Sequence, residues 1–187
     1  QLRIDLRMVA EALIAELSVP EQVVLALWAQ RFLRLGLLAV FALLAVFLGF
    51  KLRDSAEEAR DIAAGKPWKT SSTHSGCHSP AQECADTPDY FFHTQQESNP
   101  WVEIDLGSPQ RFSAIRIENR KDCCSERASP LVFEASTDDQ QWKPLARHEG
   151  TFATWRTAVP PTVARWVRVR IDSSQAMLHL ARVRVLR

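Results

Sequence analysis

The sequence predicts a mainly β protein: a small sandwich of short antiparallel strands behind two N-terminal helices. Three observations lead there. After residue 100, apolar and polar residues alternate in short runs separated by turn residues, the pattern of half-buried strands. Before residue 60, Leu35 to Phe50 contains no charged or strongly polar side chain. Within the alternating region two adjacent cysteines, Cys123 and Cys124, lie among arginines, where a loop would join strands.

At 187 residues and a formal net charge of +1, the chain has room for one medium domain and an extension. Near-neutral charge argues against a nucleic-acid partner, because phosphate binding needs a concentrated basic face. Arg165, Arg168, Arg170, Arg182 and Arg184 recur near the end, but strand alternation points most of them into solvent.

Residues 1–18 form the first element. Leu2, Leu6, Val9, Leu13 and Leu17 share a helical stripe, with Arg3, Arg7 and Glu11 on another side. Such an amphipathic helix lies on a membrane surface or packs against a partner. Ser18, Pro20 and Glu21 then read as the start of a second helix, with serine as cap and proline in the first turn.

That second helix, 19–53, reads as a single membrane span. The sixteen residues Leu35–Phe50 rise about 24 Å, short of a hydrocarbon core of about 30 Å. Arg31, Arg34, Lys51 and Arg53 can snorkel to the interfaces, and Trp28 can anchor one end. A core helix would need neighbours to cover it on all sides, and the chain has few to offer. The apolar run starts far from residue 1 and no small-x-small site closely follows it, which reads against a cleaved signal peptide. The chain opens on glutamine, so further residues are expected before it.

Flanking charge is balanced and leaves topology open. The cysteines orient the chain: disulfides persist in oxidising compartments, so the C-terminal domain is expected in the periplasm or outside the cell and the N-terminus in the cytoplasm. Residues 54–64, rich in helix formers, read as a helical stalk ended by Gly65 and Pro67. The β domain is expected over 65–187.

Residues 74–92 form a loop rich in His, Ser, Pro and Asp that contains Cys77 and Cys84. Their spacing with His74, His78 and His93 matches no common zinc pattern, so a Cys77–Cys84 disulfide stapling the loop is expected and no metal. The strands follow: Val102, Ile104 and Leu106; Ile115 and Ile117; Leu131, Phe133 and Ala135 up to an Asp138-Asp139 turn; Val167, Val169 and Ile171; Ala181, Val183 and Val185. Short alternating strands imply a β-sandwich, whose ligand sites lie on loops at one end.

The candidate site is the stretch from His93 to Arg127. Arg120 and Arg127 are planar multi-donor cations, and His93 donates or accepts at either ring nitrogen. Together they suit a ligand with vicinal hydroxyls and a ring oxygen. Asp122, two residues after Arg120, is placed to orient a guanidinium. Cys123 and Cys124 either form a vicinal disulfide, a strained ring offering a flat sulfur surface, or remain two reduced buried thiols. No nucleophile stands beside a base, so binding is favoured and no enzyme activity is expected.

These residues resemble the F-type, fucose-binding lectins within the discoidin or coagulation-factor type C fold. The family pattern is His, twenty-six residues, then Arg-x-Asp-x4-Arg or Lys; twenty-six residues separate His93 from Arg120, and Asp122 and Arg127 follow at the matching places. His93-Thr94, Asn99-Pro100-Trp101, Asp105-Leu106 and Asn119-Arg120 before the cysteine pair also match. The resemblance narrows the sandwich to a discoidin-like jelly roll. It implies that His93, Arg120 and Arg127 contact α-L-fucose while a Cys123–Cys124 disulfide packs on the sugar. Tyr90, Phe91 and Phe92 are candidates for an apolar wall beside the fucose methyl group, with core packing the alternative for two of the three.

The chain also departs from the family. Many F-type lectins hold a structural calcium with an Asp-Gly-Asn loop and a glutamate in the closing phrase. Here the closing phrase is Leu178-His179-Leu180-Ala181-Arg182-Val183, and the upstream loop reads Ala85-Asp86-Thr87-Pro88-Asp89. Arginine cannot share a cation's site, so calcium is expected to be absent and Arg182 to pair with Asp86 or Asp89. The expected function is a membrane-anchored lectin for fucose-containing glycans. The alternative is an accessory subunit whose span docks to other membrane subunits and whose β domain covers an extracytoplasmic partner.

Overall fold

The computed structural model describes residues 19–74 and 89–187. The amphipathic segment 1–18, the Cys77–Cys84 pair and Asp86 lie outside the described residues. The chain divides into two compact units, Gln1–Asp54 and Ser55–Arg187.

Helix α1 spans Val19–Arg60 without interruption. Its apolar side chains, from Val23 to Leu52, are exposed all round the cylinder. Val23–Arg60 has a mean hydropathy of 2.5 over its most apolar eighteen-residue window, and is long and apolar enough to cross a membrane. Near its two ends cations lie over aromatic rings, Arg31 over Trp28 at 5.8 Å and Lys51 over Phe47 at 5.7 Å, the placement that interfacial anchoring uses.

The second unit is built on seven antiparallel strands: β1 (Trp68–Thr70), β2 (Phe92–His93), β3 (Trp101–Asn119), β4 (Leu131–Ser136), β5 (Lys143–His148), β6 (Thr154–Ile171) and β7 (His179–Leu186). Hydrogen bonding runs in the order β2-β7-β3-β6-β4-β5, with β1 added on β3. Register shifts between Asp105 and Gln110 and between Phe112 and Ala114 divide β3 into two halves. The first half pairs with Trp166–Arg170 of β6 beside β1 and β4; the second pairs with 154–164 of β6 and with β7. The two halves face each other, because Phe112 of the second meets Phe133 of β4 edge-on at 6.1 Å although their strands do not pair. One ladder therefore folds over itself into the expected mainly β, discoidin-like sandwich. The alternating residues fill it: Val102, Leu106, Phe112, Ile115, Ile117, Leu131, Phe133, Val169, Ile171 and Val185 are at most 1% exposed.

The recurrent arginines do not end in solvent as expected. Antiparallel pairing sets outer-face residues of neighbouring strands opposite one another. On one layer this places Arg168 opposite Glu103 and Glu134. Arg168 pairs with buried Glu103 at 2.9 Å, and its guanidinium lies 3.7 Å from the ring of Trp142 and 4.7 Å from that of Trp101. Arg170 reaches Glu134 at 2.9 Å and Asp172 at 2.8 Å, and Arg165 grips Asp105 through two 2.8 Å bonds.

On the other layer the register sets Arg156, Arg116 and Arg184 side by side across β6, β3 and β7. Three like charges in a row repel and need counter-charge. The last turn of α1 supplies much of it. Buried Glu57 bonds Arg116 at 3.0 Å and Arg156 at 2.8 Å, while Glu58 pairs with Arg182 and, at 3.6 Å, with Arg184; Glu118 also pairs with Arg184.

Residues 54–64, expected as a helical stalk, continue α1 as far as Arg60 and belong to the β unit, which begins at Ser55 and has Ala63 in its core. Arg182, expected to pair with Asp86 or Asp89, pairs with Glu58 and, at 3.9 Å, with Asp61; Asp86 lies outside the described residues. The helix also ends at Arg60, earlier than Gly65 predicts. Asp61 there leaves the helix to bridge Leu186, and its carboxylate accepts from Ala63 N at 3.0 Å and Val185 N at 3.1 Å. Backbone pairing with β7 outcompetes another helical turn.

Candidate functional site

The site starts from the register of β2 on β7, which pairs Phe92 with Leu180 and His93 with His179. Non-local pairing thus brings two imidazoles to 5.1 Å, and the His74 ring lies tilted to that of His93 at 4.7 Å. His93 is buried, with Nδ1 2.6 Å from the Thr94 carbonyl oxygen. A neutral ring that donates there from Nδ1 keeps Nε2 as an acceptor. Burial lowers the His93 pKa against the Thr94 bond, and the positive charges of Arg120 and Arg127 push it down further, so the neutral form prevails near pH 7.

Arg120 leaves the end of β3. Its backbone is fixed by Asn119, a buried residue whose Oδ1 accepts from Arg120 N at 2.9 Å and whose Nδ2 donates to the carbonyls of Ser125 at 2.8 Å and Phe152 at 3.1 Å. The Arg120 guanidinium lies 4.5 Å over the ring of Tyr90 and forks onto Asp122, Nε to Oδ1 at 2.7 Å and Nη2 to Oδ2. The fork raises the arginine's pKa and pulls the Asp122 carboxyl down to about 2. Such a bidentate pair fixes the plane and heading of a guanidinium.

Arg127 closes a short 3-10 turn, Ser125–Arg127, and is half exposed, with the Glu126 carboxylate 3.9 Å away. Cys123 and Cys124 are bonded to each other, their Cα atoms 3.8 Å apart, and Cys124 adopts a left-handed φ of 61°. Arg120 and the disulfide line a surface cavity of 650 Å³ floored by Phe152, while Arg127 lines a neighbouring cleft of 420 Å³.

The structure places the sequence candidates unequally. Arg120 and Arg127 both contribute positive charge at His93, but Arg120 and the disulfide line one cavity and Arg127 another. Of the proposed apolar wall, Phe92 is 2% exposed in the core, and Phe91 packs edge-on against Trp68 at 5.2 Å. Tyr90 alone remains beside the site, with its ring 5.8 Å from His93. The spacing missed His74, Asn119 and His179. For His179 a signal existed: a histidine between two leucines in a strand is a polar group at a buried place. It is fully buried, and neither ring nitrogen has a hydrogen-bond partner among the described residues.

An F5/8 type C domain matches residues 68–182. The chain belongs to that family. Within the F5/8 type C family it is 28% identical over 105 residues to Fucolectin-6 of Anguilla japonica, covering 51% of this chain and 56% of the relative. It is 29% identical over 100 residues to Fucolectin of Anguilla anguilla, covering 50% and 63%. The chain thus spans little more than half the length of these curated relatives. Among solved structures, the lectin domain of lectinolysin complexed with Lewis B antigen superposes with a TM-score of 0.56 at 26% identity, covering 68% of this chain and 96% of that one.

Arg182, which stands where the family resemblance implies a calcium-binding glutamate, carries a positive charge and is tied to Glu58, while most of the upstream loop of that implied site lies outside the described residues. The residues present an acceptor at His93, a guanidinium oriented by Asp122 at Arg120, an exposed cation at Arg127 and the sulfur pair.

Proposed function

We propose that the chain is a membrane-anchored lectin whose β domain lies outside the cytoplasm and binds fucose-bearing glycans through His93, Arg120 and Arg127. The observation that carries this reading is the fork of Asp122 on Arg120 beside a neutral, buried His93. Nε2 of His93 accepts one sugar hydroxyl, while Arg120 and Arg127 donate to neighbouring hydroxyls and the ring oxygen. The Cys123–Cys124 disulfide meets the apolar face of the pyranose. Relatives named fucolectins, and a similar domain solved with Lewis B antigen, support fucose as the sugar. No step needs a nucleophile, so the activity is binding. A single site binds a monosaccharide weakly, and clustering of the anchored chain in a membrane raises avidity.

Calorimetric titration of the full chain in detergent with methyl α-L-fucoside tests this. Saturable heat is expected from the parent chain, and none from Arg120→Ala with the thermal midpoint retained. Absence of binding by the parent chain, with the vicinal disulfide intact, overturns it.

The accessory-subunit reading rests on the exposed apolar surface of α1, which other membrane helices could cover as well as lipid. Purification from mild detergent as a lone monomer counts against it.

A further inference from the structure

We infer that the Cys123–Cys124 disulfide is a redox switch on the sugar site: a dithiol reductant opens it, the turn carrying Arg120 and Arg127 relaxes, and glycan binding weakens until the pair is oxidised again. This rests on the fucose reading above and adds a regulation to it. The bonded pair lies inside the segment 120–127, between Asn119 and Ala128, which are 1% and 0% exposed. Both arginines of the site belong to that segment, so its backbone decides where they point.

The sulfur pair is tied to each arginine by a separate hydrogen bond. Cys123 N donates to the Asp122 carboxylate, the group that forks onto Arg120. Cys124 O accepts from Arg127 N at 3.1 Å and so closes the 3-10 turn that carries Arg127. Cys124 caps that turn with φ 61° and ψ 26°, a left-handed conformation that a residue with a Cβ rarely adopts. Among the described residues no side-chain hydrogen bond caps the turn, which leaves the covalent link to Cys123 to hold Cys124 in place. Once the link opens, Cys124 returns to an ordinary region of backbone space, its carbonyl turns and Arg127 N loses its acceptor. Asn119 still grips the next carbonyl, that of Ser125, at 2.8 Å, so the change stays within the turn.

The pair is also placed to react. Cys123 is exposed and Cys124 partly so, and both line the 650 Å³ surface cavity together with Arg120 and Lys121. Neighbouring cations favour the thiolates that reduction releases, and Asp122 on the same wall is engaged by Arg120. A thiolate of the reductant attacks Cys123 Sγ; the S–S bond breaks and its electron pair leaves on Cys124 Sγ, which takes a proton. The second thiolate of the reductant attacks the mixed disulfide, closes the reductant's own disulfide and frees Cys123 Sγ, which also takes a proton. Two electrons and two protons thus pass from the dithiol to the cysteine pair. By linkage, a sugar that prefers the closed ring opposes its reduction.

The test titrates the full chain in detergent with methyl α-L-fucoside before and after dithiothreitol, with free thiols located by alkylation and mass spectrometry on a parallel sample. Loss of one well-placed charged donor is expected to lower affinity about ten-fold when Cys123 and Cys124 are both free. Oxidised glutathione is expected to restore it, and saturating fucoside to slow the reduction. Cys123→Ser with Cys124→Ser is expected to bind as weakly as the reduced chain and to ignore the reductant. Unchanged affinity with both thiols free, or a reductant response that survives the double substitution and so belongs to other cysteines, overturns the switch and leaves the fucose site standing. Failure of the oxidised chain to bind the fucoside overturns both.

Discussion

His179 makes the domain acid-sensitive below about pH 6.5. The side chain is fully buried between Leu178 and Leu180, with His93 5.1 Å away and Tyr90 6.5 Å away. Burial, helped by the charges of Arg120 and Arg127, lowers its pKa from 6.5 to about 3. In the unfolded chain the imidazole titrates near 6.5. Below that pH the unfolded state takes up a proton that the folded state refuses. Stability is therefore full above about pH 6.5 and falls as pH drops, by up to about 1.4 kcal/mol per unit, until the folded pKa is reached.

Between pH 6.5 and 4.5 this one residue removes about 2–3 kcal/mol, and His93, shifted in the same direction, adds to it. Against a typical total of about 5–15 kcal/mol, that is a fall of roughly 10 °C in thermal midpoint. Near-ultraviolet circular dichroism melts of the full chain in detergent, at pH 7 and 4.5, read it directly. His179→Leu, which cannot titrate, is expected to lose at least half of the pH-dependent fall. An unchanged pH dependence in His179→Leu would show that the imidazole is not held neutral by burial.

Further expectations concern the ion pairs and the sulfur pair. Glu57→Gln leaves Arg116 and Arg156 without their shared carboxylate beside Arg184; because both arginines keep some solvent contact, a loss of about 1–3 kcal/mol is expected in chemical denaturation, and none would mean the last turn of α1 is not docked by charge. Asp122→Asn frees the Arg120 guanidinium to rotate, so methyl α-L-fucoside binding should weaken several-fold with the melt unchanged, and unaltered binding would remove the fork from the argument. Asp122 itself titrates at about 2, so the fork stays charged in mild acid, and a loss of affinity there is expected to come from protonation of His93 rather than from the fork. Cys123→Ser with Cys124→Ser should cost affinity for the fucoside and little stability, since the pair sits on an exposed turn; full affinity in that variant would deny the sulfur surface a role.

The fold was legible because its signals are local. Alternation at Val102–Leu106, Ile115–Ile117 and Val167–Ile171 reports one buried face wherever the strand pairs, and all of these residues are in the core or packed directly on it. The candidate site was half legible. Spacing along the chain names His93, Arg120, Asp122 and Arg127 as candidates, and adjacency names the Cys123–Cys124 pair that the structure shows bonded. Tyr90, Phe91 and Phe92 could not be sorted that way, because which ring meets Trp68, which enters the core and which lies under Arg120 depends on the path of β2 at the sheet edge. The arginines of β6 and β7 were misread for a related reason. Alternation shows that a side chain points outward, but a carboxylate opposite it on the next strand depends on register, and one residue of slip would exchange Glu103 for a hydrophobic neighbour.

The order of residues alone settles the apolar helix, the alternating strands and the reach of a cationic pair around two neighbouring sulfurs, since each depends on covalent spacing and a fixed helical or pleated period. Folding adds what no spacing contains: His179 against His93, the last turn of α1 against a row of arginines, and the cleft that Arg127 lines. These arise where β2 meets β7 and where β6, β3 and β7 align, and hydrogen-bond register between segments distant in sequence is set by the packing of the whole core.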